Sequence, residues 1–164
     1  MRIKVTVAYD GSRFAGWQIQ PNADTIQARI EEALALIAKV PVRVHGSGRT
    51  DAGVHSIGQV AHFDAPAELT MNPVNWLAAL NTKLPATIRV LECDEVPADF
   101  HARFSASSKT YTYELSTSPV LPPFQASRAW HLPRQLDPVT LEQALALFEG
   151  CLLYTSDAAD ELCR

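Results

Sequence analysis

The 164-residue sequence predicts an α+β protein: a β-α-β-β-α-β unit followed by the start of a second α+β unit. Two observations predict this fold class. Apolar residues alternate in some segments, as in strands, and recur at helical spacing in others. These segments follow one another in the order strand, helix, strand, strand, helix, strand, which is the ferredoxin-like arrangement. A hydrophobic content of 47% is enough for a sizeable core.

The first strand and the first helix are bounded by clear signals. The strand presents an alternating apolar face made of Ile3, Val5, Val7 and Tyr9. Asp10-Gly11-Ser12 predicts the turn that follows it. Asp24, with Gln27 three residues on, predicts the N-cap of the helix, and Pro41 its end. The predicted buried face of this helix consists of Ile26, Ile30, Ala33, Leu34 and Ile37.

Four further elements complete the first unit. Val42 and Val44 predict the start of a second strand, and residues 59–63 a third. Asn72-Pro73 predicts the cap and first turn of a second helix, which ends at Pro85. Its predicted inward residues are Leu77, Leu80 and Leu84. Residues 88–93 predict the fourth strand.

A second unit is predicted to begin after residue 104. Residues 109–117 read as a strand with Tyr111, Tyr113 and Leu115 on one face, and we expect Tyr113 to lie in the core. Asp137-Pro138 predicts the start of a last helix, which carries Leu141, Leu145 and Phe148. We therefore predict a first domain over residues 1–104 and an incomplete second domain over residues 105–150.

The last residues, 151–164, depart from the pattern of the rest. After Gly150, which predicts a helix C-cap, the eleven residues CLLYTSDAADE resemble the translation of a transposase sequencing adapter. The alternative is a natural short helix. We expect a non-native tail, as with other processing scars, and therefore a chain that is a fragment of a longer protein.

Composition and charge argue against several classes of protein. No apolar run reaches the roughly 18–20 residues that span a bilayer, and the N-terminal MRIKVTVAYDG lacks the features of a signal peptide. The three cysteines show no metal-ligand spacing, and their odd number argues against a disulfide framework. A net charge of −4 is unlike an extended nucleic-acid surface, although residues 43–55 are locally basic. We expect a soluble, cytoplasmic protein.

Residues 46–55, GSGRTDAGVH, carry the strongest chemical signal. Asp51 lies between Gly48 and Gly53, where the backbone can approach a ligand closely. Arg49 can pair with this carboxylate and hold it ionised and oriented, so that Asp51 can act as a nucleophile or as an acid/base catalyst. The alternative is an Asx-type turn in which Asp51 only caps a backbone amide.

Several motifs resemble those of one family. GSGRTDAGVHSIGQVAHF is similar to the signature of the tRNA pseudouridine synthase A family. YDGSRFAGWQIQ (residues 9–20), residues 81–90, FHARFSA (100–106) and KTYTY (109–113) resemble further blocks of that family, in the same order. The resemblance covers residues 1–150. Family members are longer and continue differently after the glycine that matches Gly150, which agrees with a truncated chain.

The resemblance implies an enzyme that isomerises uridine to pseudouridine at positions 38–40 of the tRNA anticodon stem-loop. It implies a homodimer that needs no cofactor and no metal. Asp51 matches the family's catalytic aspartate, written here as a nucleophile, although abstraction of the C2′ proton stays open. Arg49 matches the arginine that pairs with it, and Tyr111 the tyrosine that stacks on the target uracil.

Other residues have two possible roles. His101 and Arg103 are candidates for RNA phosphate contacts or for a structural pair, and Arg13, Arg49 and Arg103 are the expected basic RNA-binding surface. We expect His55 to brace the loop. Trp17 has two possible roles, packing beneath the loop or packing in the core, and core packing is the expected one. The spacing of His45, His55 and His62 fits no usual zinc pattern.

A rival hypothesis is a non-catalytic RRM-like RNA-binding module, since that module shares the ferredoxin-like sheet. It predicts an aromatic RNP1-type strand, which this sequence lacks. Because the second unit is incomplete, we also expect this chain by itself to be inactive and to expose apolar surface that promotes aggregation.

Overall fold

A computed structural model describes residues 1–149 of the chain. The chain divides into two compact units, Met1–Ser107 and a second that begins at Ser108. The predicted domain limits, 1–104 and 105–150, stay a prediction. The adapter-like tail and the cap at Gly150 lie outside the described residues.

The first unit has the predicted order of elements. These are β1 (Arg2–Tyr9), α1 (Ile26–Ala38), β2 (Val44–Gly46), β3 (Ser56–Asp64), α2 (Pro73–Lys83) and β4 (Ile88–Val96). The four strands form one antiparallel sheet in the order β2-β3-β1-β4. This confirms the ferredoxin-like arrangement and places β1 and β3 at the centre of the sheet.

The side chains of β1 alternate between a buried face and a polar face of the sheet. Ile3, Val5 and Val7 are fully buried, while the residues between them are half-exposed, which confirms the predicted period of two. Helices α1 and α2 contact each other and share this apolar core. On the opposite face Arg2 pairs with Asp64 at 2.8 Å, across the β1–β3 ladder.

The start of α1 differs from the prediction by one residue. Thr25, not Asp24, is the N-cap: its backbone is extended and its hydroxyl accepts the N–H of Ala28. Asp24 instead pairs with Arg29 at 2.8 Å. Thr25 is fully buried. A small neutral hydroxyl fits this buried cap position, whereas the charged Asp24 lies nearer the surface. The helix ends at Ala38, before Pro41 as predicted.

The buried face of α2 includes a residue that the leucine spacing does not indicate. Asn72 caps the helix as predicted, and Leu80 and Leu84 are buried, whereas Leu77 is only partly buried. Trp76 is fully buried and packs edge-on against Phe63, with ring centroids 5.2 Å apart. Trp76 therefore fills part of the space between α2 and the sheet, together with the buried leucines.

The described part of the second unit holds less regular structure than predicted. It contains β5 (Glu114–Ser116), β6 (Ala129–His131) and α3 (Pro138–Ala146), with β5 and β6 paired in parallel. The predicted strand over 109–117 is thus reduced to three residues. Tyr113 lies outside it and is 84% exposed, so its predicted core position is wrong. Within residues 108–149, β5 pairs with only three residues of β6, which limits the length of the ladder.

The last helix begins as predicted but buries little. Asp137 accepts the N–H groups of Val139 and Thr140 and caps α3. The predicted apolar residues Leu141, Leu145 and Phe148 are 36%, 58% and 61% exposed. Within residues 1–149, none of the helices is long and apolar enough to cross a membrane.

Candidate functional site

The GSGRTDAGVH segment forms the loop between β2 and β3. We call residues 47–55 the β2–β3 loop. It begins where the N–H of Ser47 donates to Val60 of β3 at 2.8 Å. Because β3 lies beside β1 in the sheet, the loop lies next to the segment that leaves the end of β1, residues 10–17. This second segment is the DGSRFAGW part of the motif, residues 10–17.

Backbone hydrogen bonds join these two segments. The N–H of Trp17 donates to the carbonyl of Thr50 at 2.9 Å, and the N–H of Gly53 donates to the carbonyl of Phe14 at 3.2 Å. The approach at Gly16 is so close that a Cβ there would lie 2.5 Å from the Thr50 oxygen, and its φ is +98°. Only glycine satisfies both conditions without strain. The two motifs therefore form one structural unit.

Trp17 lies in the core, which was the expected role, and its indole also lies against the start of the loop. Its side chain is 3% exposed and its ring lies 6.0 Å from that of Tyr9. A Cβ placed on Gly46, at the start of the loop, would lie 2.7 Å from the indole nitrogen. The indole is thus in direct contact with the strand end from which the loop departs.

A chain of side-chain hydrogen bonds connects the sheet with the loop. The Tyr9 hydroxyl lies 2.9 Å from the Thr50 hydroxyl and 3.3 Å from Oε1 of Gln59. Nε2 of Gln59 donates to the carbonyl of Gly48 at 2.8 Å. Sequence reasoning missed Tyr9 and Gln59 as site residues, since nothing in the local pattern connects positions 9, 50 and 59.

Asp51 lies at the exposed turn of this loop. The turn is closed by the backbone: the carbonyl of Asp51 accepts the N–H of Val54 at 3.2 Å. The Asx-type alternative, in which the carboxylate itself accepts a backbone amide, stays an alternative. The pairing of Arg49 with this carboxylate stays a prediction.

The far end of the loop is braced through His55, as predicted. Nδ1 of His55 accepts the N–H of Gly11 at 3.3 Å and lies 3.2 Å from Oδ1 of Asp10. The same Asp10 carboxylate caps the short 3-10 helix Gly11–Arg13 through Ser12. Arg13 ends that helix and is exposed, so this candidate RNA contact belongs to the segment that packs on the loop.

His101 belongs to a cluster of imidazoles on the polar side of the sheet. Its ring centroid lies 4.7 Å from that of His62 and 5.6 Å from that of His45. Nδ1 of His101 accepts the backbone N–H of Arg103, and Nδ1 of His62 accepts that of Ala102. These contacts support the structural role of His101. The sequence did not indicate this cluster.

The electrostatics of the cluster favour neutral rings. Burial, followed by the neighbouring His101 and His45, lowers the pKa of His62 to about 4. Burial and His45 also hold the pKa of His101 below its ordinary value.

Among residues 1–149, no group of three or more histidine, cysteine, aspartate or glutamate side chains is placed to hold a metal ion. Tyr111 belongs to the second unit and is 60% exposed.

The chain is similar to one known family and to several known proteins. The model of a family described as tRNA pseudouridine synthase matches residues 5–105. The tRNA pseudouridine synthase A of Akkermansia muciniphila is 50% identical over 158 residues, covering 96% of this chain and 60% of that protein. The tRNA pseudouridine synthase A of Bacillus pumilus is 45% identical over 161 residues, covering 97% and 64%.

This chain belongs to the tRNA pseudouridine synthase family. The matched region includes the β2–β3 loop and most of the first unit, so the resemblance predicted from the motifs is confirmed and the RRM-like alternative is not favoured. The chain spans about three fifths of the length of the curated relatives it matches. The adapter origin of residues 151–164 stays a prediction.

Proposed function

We propose that this chain carries the catalytic loop of an enzyme that isomerises uridine to pseudouridine in tRNA, at positions 38–40 of the anticodon stem-loop, and that the longer protein acts as a homodimer. One observation carries the proposal. Asp51 is exposed at the turn of a loop whose neighbouring residues are held by the sheet and by residues 10–17. A carboxylate on a fixed backbone, open to solvent, suits attack on a bound nucleotide.

The reaction requires little beyond such a carboxylate and a place for the base. The N1–C1′ bond breaks, the uracil turns, and a C5–C1′ bond forms. C5 loses its hydrogen as a proton, and N1 gains one. Asp51 serves either as a nucleophile at C1′ or as the base that takes the C2′ proton. In both routes it acts on the ribose and returns unchanged.

A uracil cannot turn while it is stacked in a helix, so the nucleotide must be flipped out. We assign Arg49 to pairing with Asp51 and to helping displace the base. Tyr111 supplies the aromatic face on which the uracil stacks. Arg13 and Arg103 contribute positive charge for the phosphates. His101 is a weaker candidate for phosphate contact, because its lowered pKa favours the neutral ring.

The test uses an extended protein: residues 1–149 followed by the corresponding C-terminal remainder of the Akkermansia muciniphila relative. It is incubated with tRNA labelled with tritium at uridine C5, and the release of tritium is measured. We expect release by the extended protein and none by its Asp51→Asn variant. The matched control is Asp94→Asn, which removes a surface carboxylate of β4 that pairs with Lys4 of β1 and should leave release unchanged.

Binding of tRNA, measured separately by filter retention, makes the result decisive. If the extended protein folds and binds tRNA but releases no tritium, the synthase proposal fails and an RNA-binding module remains. If Asp51→Asn releases tritium as the unaltered protein does, Asp51 is not the catalyst. We expect no release by the 164-residue chain alone.

A further inference from the structure

Two residues of the sheet, outside the GSGRTDAGVH segment, form hydrogen bonds with Gly48 and Thr50 of that segment. Tyr9 is the last residue of β1, and Gln59 lies in the neighbouring strand β3. The register between the two strands shifts between Val7, which faces Gln59, and Tyr9, which faces Ser56. Such an irregularity re-aims side chains at the end of a ladder. Here the phenol and the amide meet beneath the loop.

The hydrogen bonds that join Thr50, Tyr9, Gln59 and Gly48 all have the same direction of donation. The Tyr9 hydroxyl donates to Oε1 of Gln59, so its oxygen is left to accept the hydroxyl proton of Thr50 at 2.9 Å. The amide of Gln59 is thereby oriented with Nε2 towards the carbonyl of Gly48, to which it donates at 2.8 Å. This series of hydrogen bonds ends on the backbone of the loop.

The two points of attachment lie on either side of Arg49. Gly48 precedes it, and Thr50 separates it from Asp51. Thr50 is held a second time, because its carbonyl accepts the N–H of Trp17 at 2.9 Å. The carboxylate of Asp51 takes no part in these bonds and stays exposed to solvent. The attachments therefore restrain the backbone that carries both proposed reacting side chains while leaving the carboxylate accessible.

We propose that Tyr9 and Gln59 are positioning residues, which set the placement of Arg49 and Asp51 through the hydrogen-bonded chain Thr50–Tyr9–Gln59–Gly48. This inference rests on the proposed function for its catalytic consequence, but its structural part stands separately. A displacement of about 1 Å at a reacting group can lower a rate about 100-fold. Tyr9 is 4% exposed and contacts Trp17 through its ring, so removal of the hydroxyl alone leaves the packing in place.

The first readout is amide hydrogen exchange in the 164-residue chain itself. In Tyr9→Phe we expect the Trp17 amide, which donates to Thr50, to exchange about tenfold faster, while the Leu84 amide in the α2 C-cap keeps its rate. Thr82→Val is the matched control, since it removes a hydroxyl hydrogen bond on α2 and should leave the Trp17 amide unchanged. Equal acceleration at both amides, or none at Trp17, would overturn the proposal.

The second readout is the split between kcat and KM in the extended protein. Tyr9→Phe and Thr50→Val should each lower kcat by about 10- to 100-fold with KM changed less than about threefold, because the reacting groups are misplaced while binding persists. Thr50→Ser keeps the hydroxyl and should retain kcat. The double variant Tyr9→Phe/Thr50→Val should be no worse than either single variant, since all three break one chain.

The two readouts separate this inference from the proposed function. An extended protein without tritium release contradicts the synthase proposal, while the exchange experiment still decides whether Tyr9 holds the loop. An active extended protein in which Tyr9→Phe keeps its full kcat contradicts the positioning role. Losses of kcat that multiply in the double variant also contradict it, because they would place the two hydroxyls in separate functions.

Discussion

His62 makes the stability of the first unit depend on pH in a specific range. The side chain is 1% exposed and stacks on His45, with ring centroids 5.0 Å apart. Its Nδ1 accepts the backbone N–H of Ala102 at 3.1 Å. A proton on Nδ1 would abolish that hydrogen bond and place a charge beside two other imidazoles. The buried environment therefore penalises the charged ring.

The size of the effect follows from the difference in pKa between the two states. The pKa of His62 falls from 6.5 to about 4 in the folded chain, so the unfolded chain binds more protons between these values. Stability is then complete above pH 6.5 and declines as the pH falls towards 4, by about 3 kcal/mol at most. About 2 kcal/mol of this should be lost by pH 5. His101, whose pKa is also lowered, adds to the loss in the same direction.

The aspartates whose pKa is lowered change the stability of the chain in a lower pH range than the histidines do. Hydrogen bonds from Arg2 and Arg29 hold the pKa of Asp64 and of Asp24, respectively, below the ordinary value of 3.8. Folded carboxylates with a lowered pKa lose their stabilising effect only as the pH falls below their unfolded value. The decline between pH 6.5 and 4 is therefore a property of the histidine cluster.

The assay is urea unfolding of the 164-residue chain at pH 7, 6 and 5, followed by tryptophan fluorescence. Trp17 and Trp76 are buried in the first unit, whereas Trp130 is 65% exposed, so the signal reports mainly on the first unit. In His62→Asn, whose amide oxygen can still accept the Ala102 N–H, we expect no more than half of the loss between pH 7 and 5. His131→Asn, in the second unit, is the control. An equal loss in His62→Asn and the unaltered chain would refute the reasoning.

Three further predictions concern the elements that support the loop and the core. Thr25→Ala should lower the free energy of unfolding by about 1 kcal/mol through loss of the α1 cap, and Asp24→Ala by less, since it breaks an exposed ion pair; urea titration of both variants checks this. Gly16→Ala should cost about 1–3 kcal/mol through the strained φ and the contact with Thr50, and should abolish tritium release in the extended protein. Trp76→Ala should cost about 3–5 kcal/mol, as a large cavity does. Trp76→Phe should cost clearly less, because the indole N–H is buried without a hydrogen-bond partner within residues 1–149; equal costs would contradict this account.

Local periodicity and capping residues were sufficient for most of the first unit. The alternation in β1 and the apolar face of α1 are set by the geometry of a strand and a helix, which repeat over two and 3.6 residues. The caps at Asn72 and Asp137 are equally local, since each side chain bonds an amide two or three residues away. The GSGRTDAGVH segment also carried its own chemical signal, because glycine, arginine and aspartate occur within ten residues.

Contacts between distant parts of the chain decided the rest. The burial of His62 requires residues 100–104 to cover the sheet, and the support of the loop requires Tyr9 and Gln59, 50 residues apart, to meet. Tyr113 alternates like a strand residue yet is exposed, since a strand forms only where a neighbouring strand supplies hydrogen bonds. Periodicity in the sequence indicates which residues prefer burial. The tertiary structure decides which residues they pack against and form hydrogen bonds with.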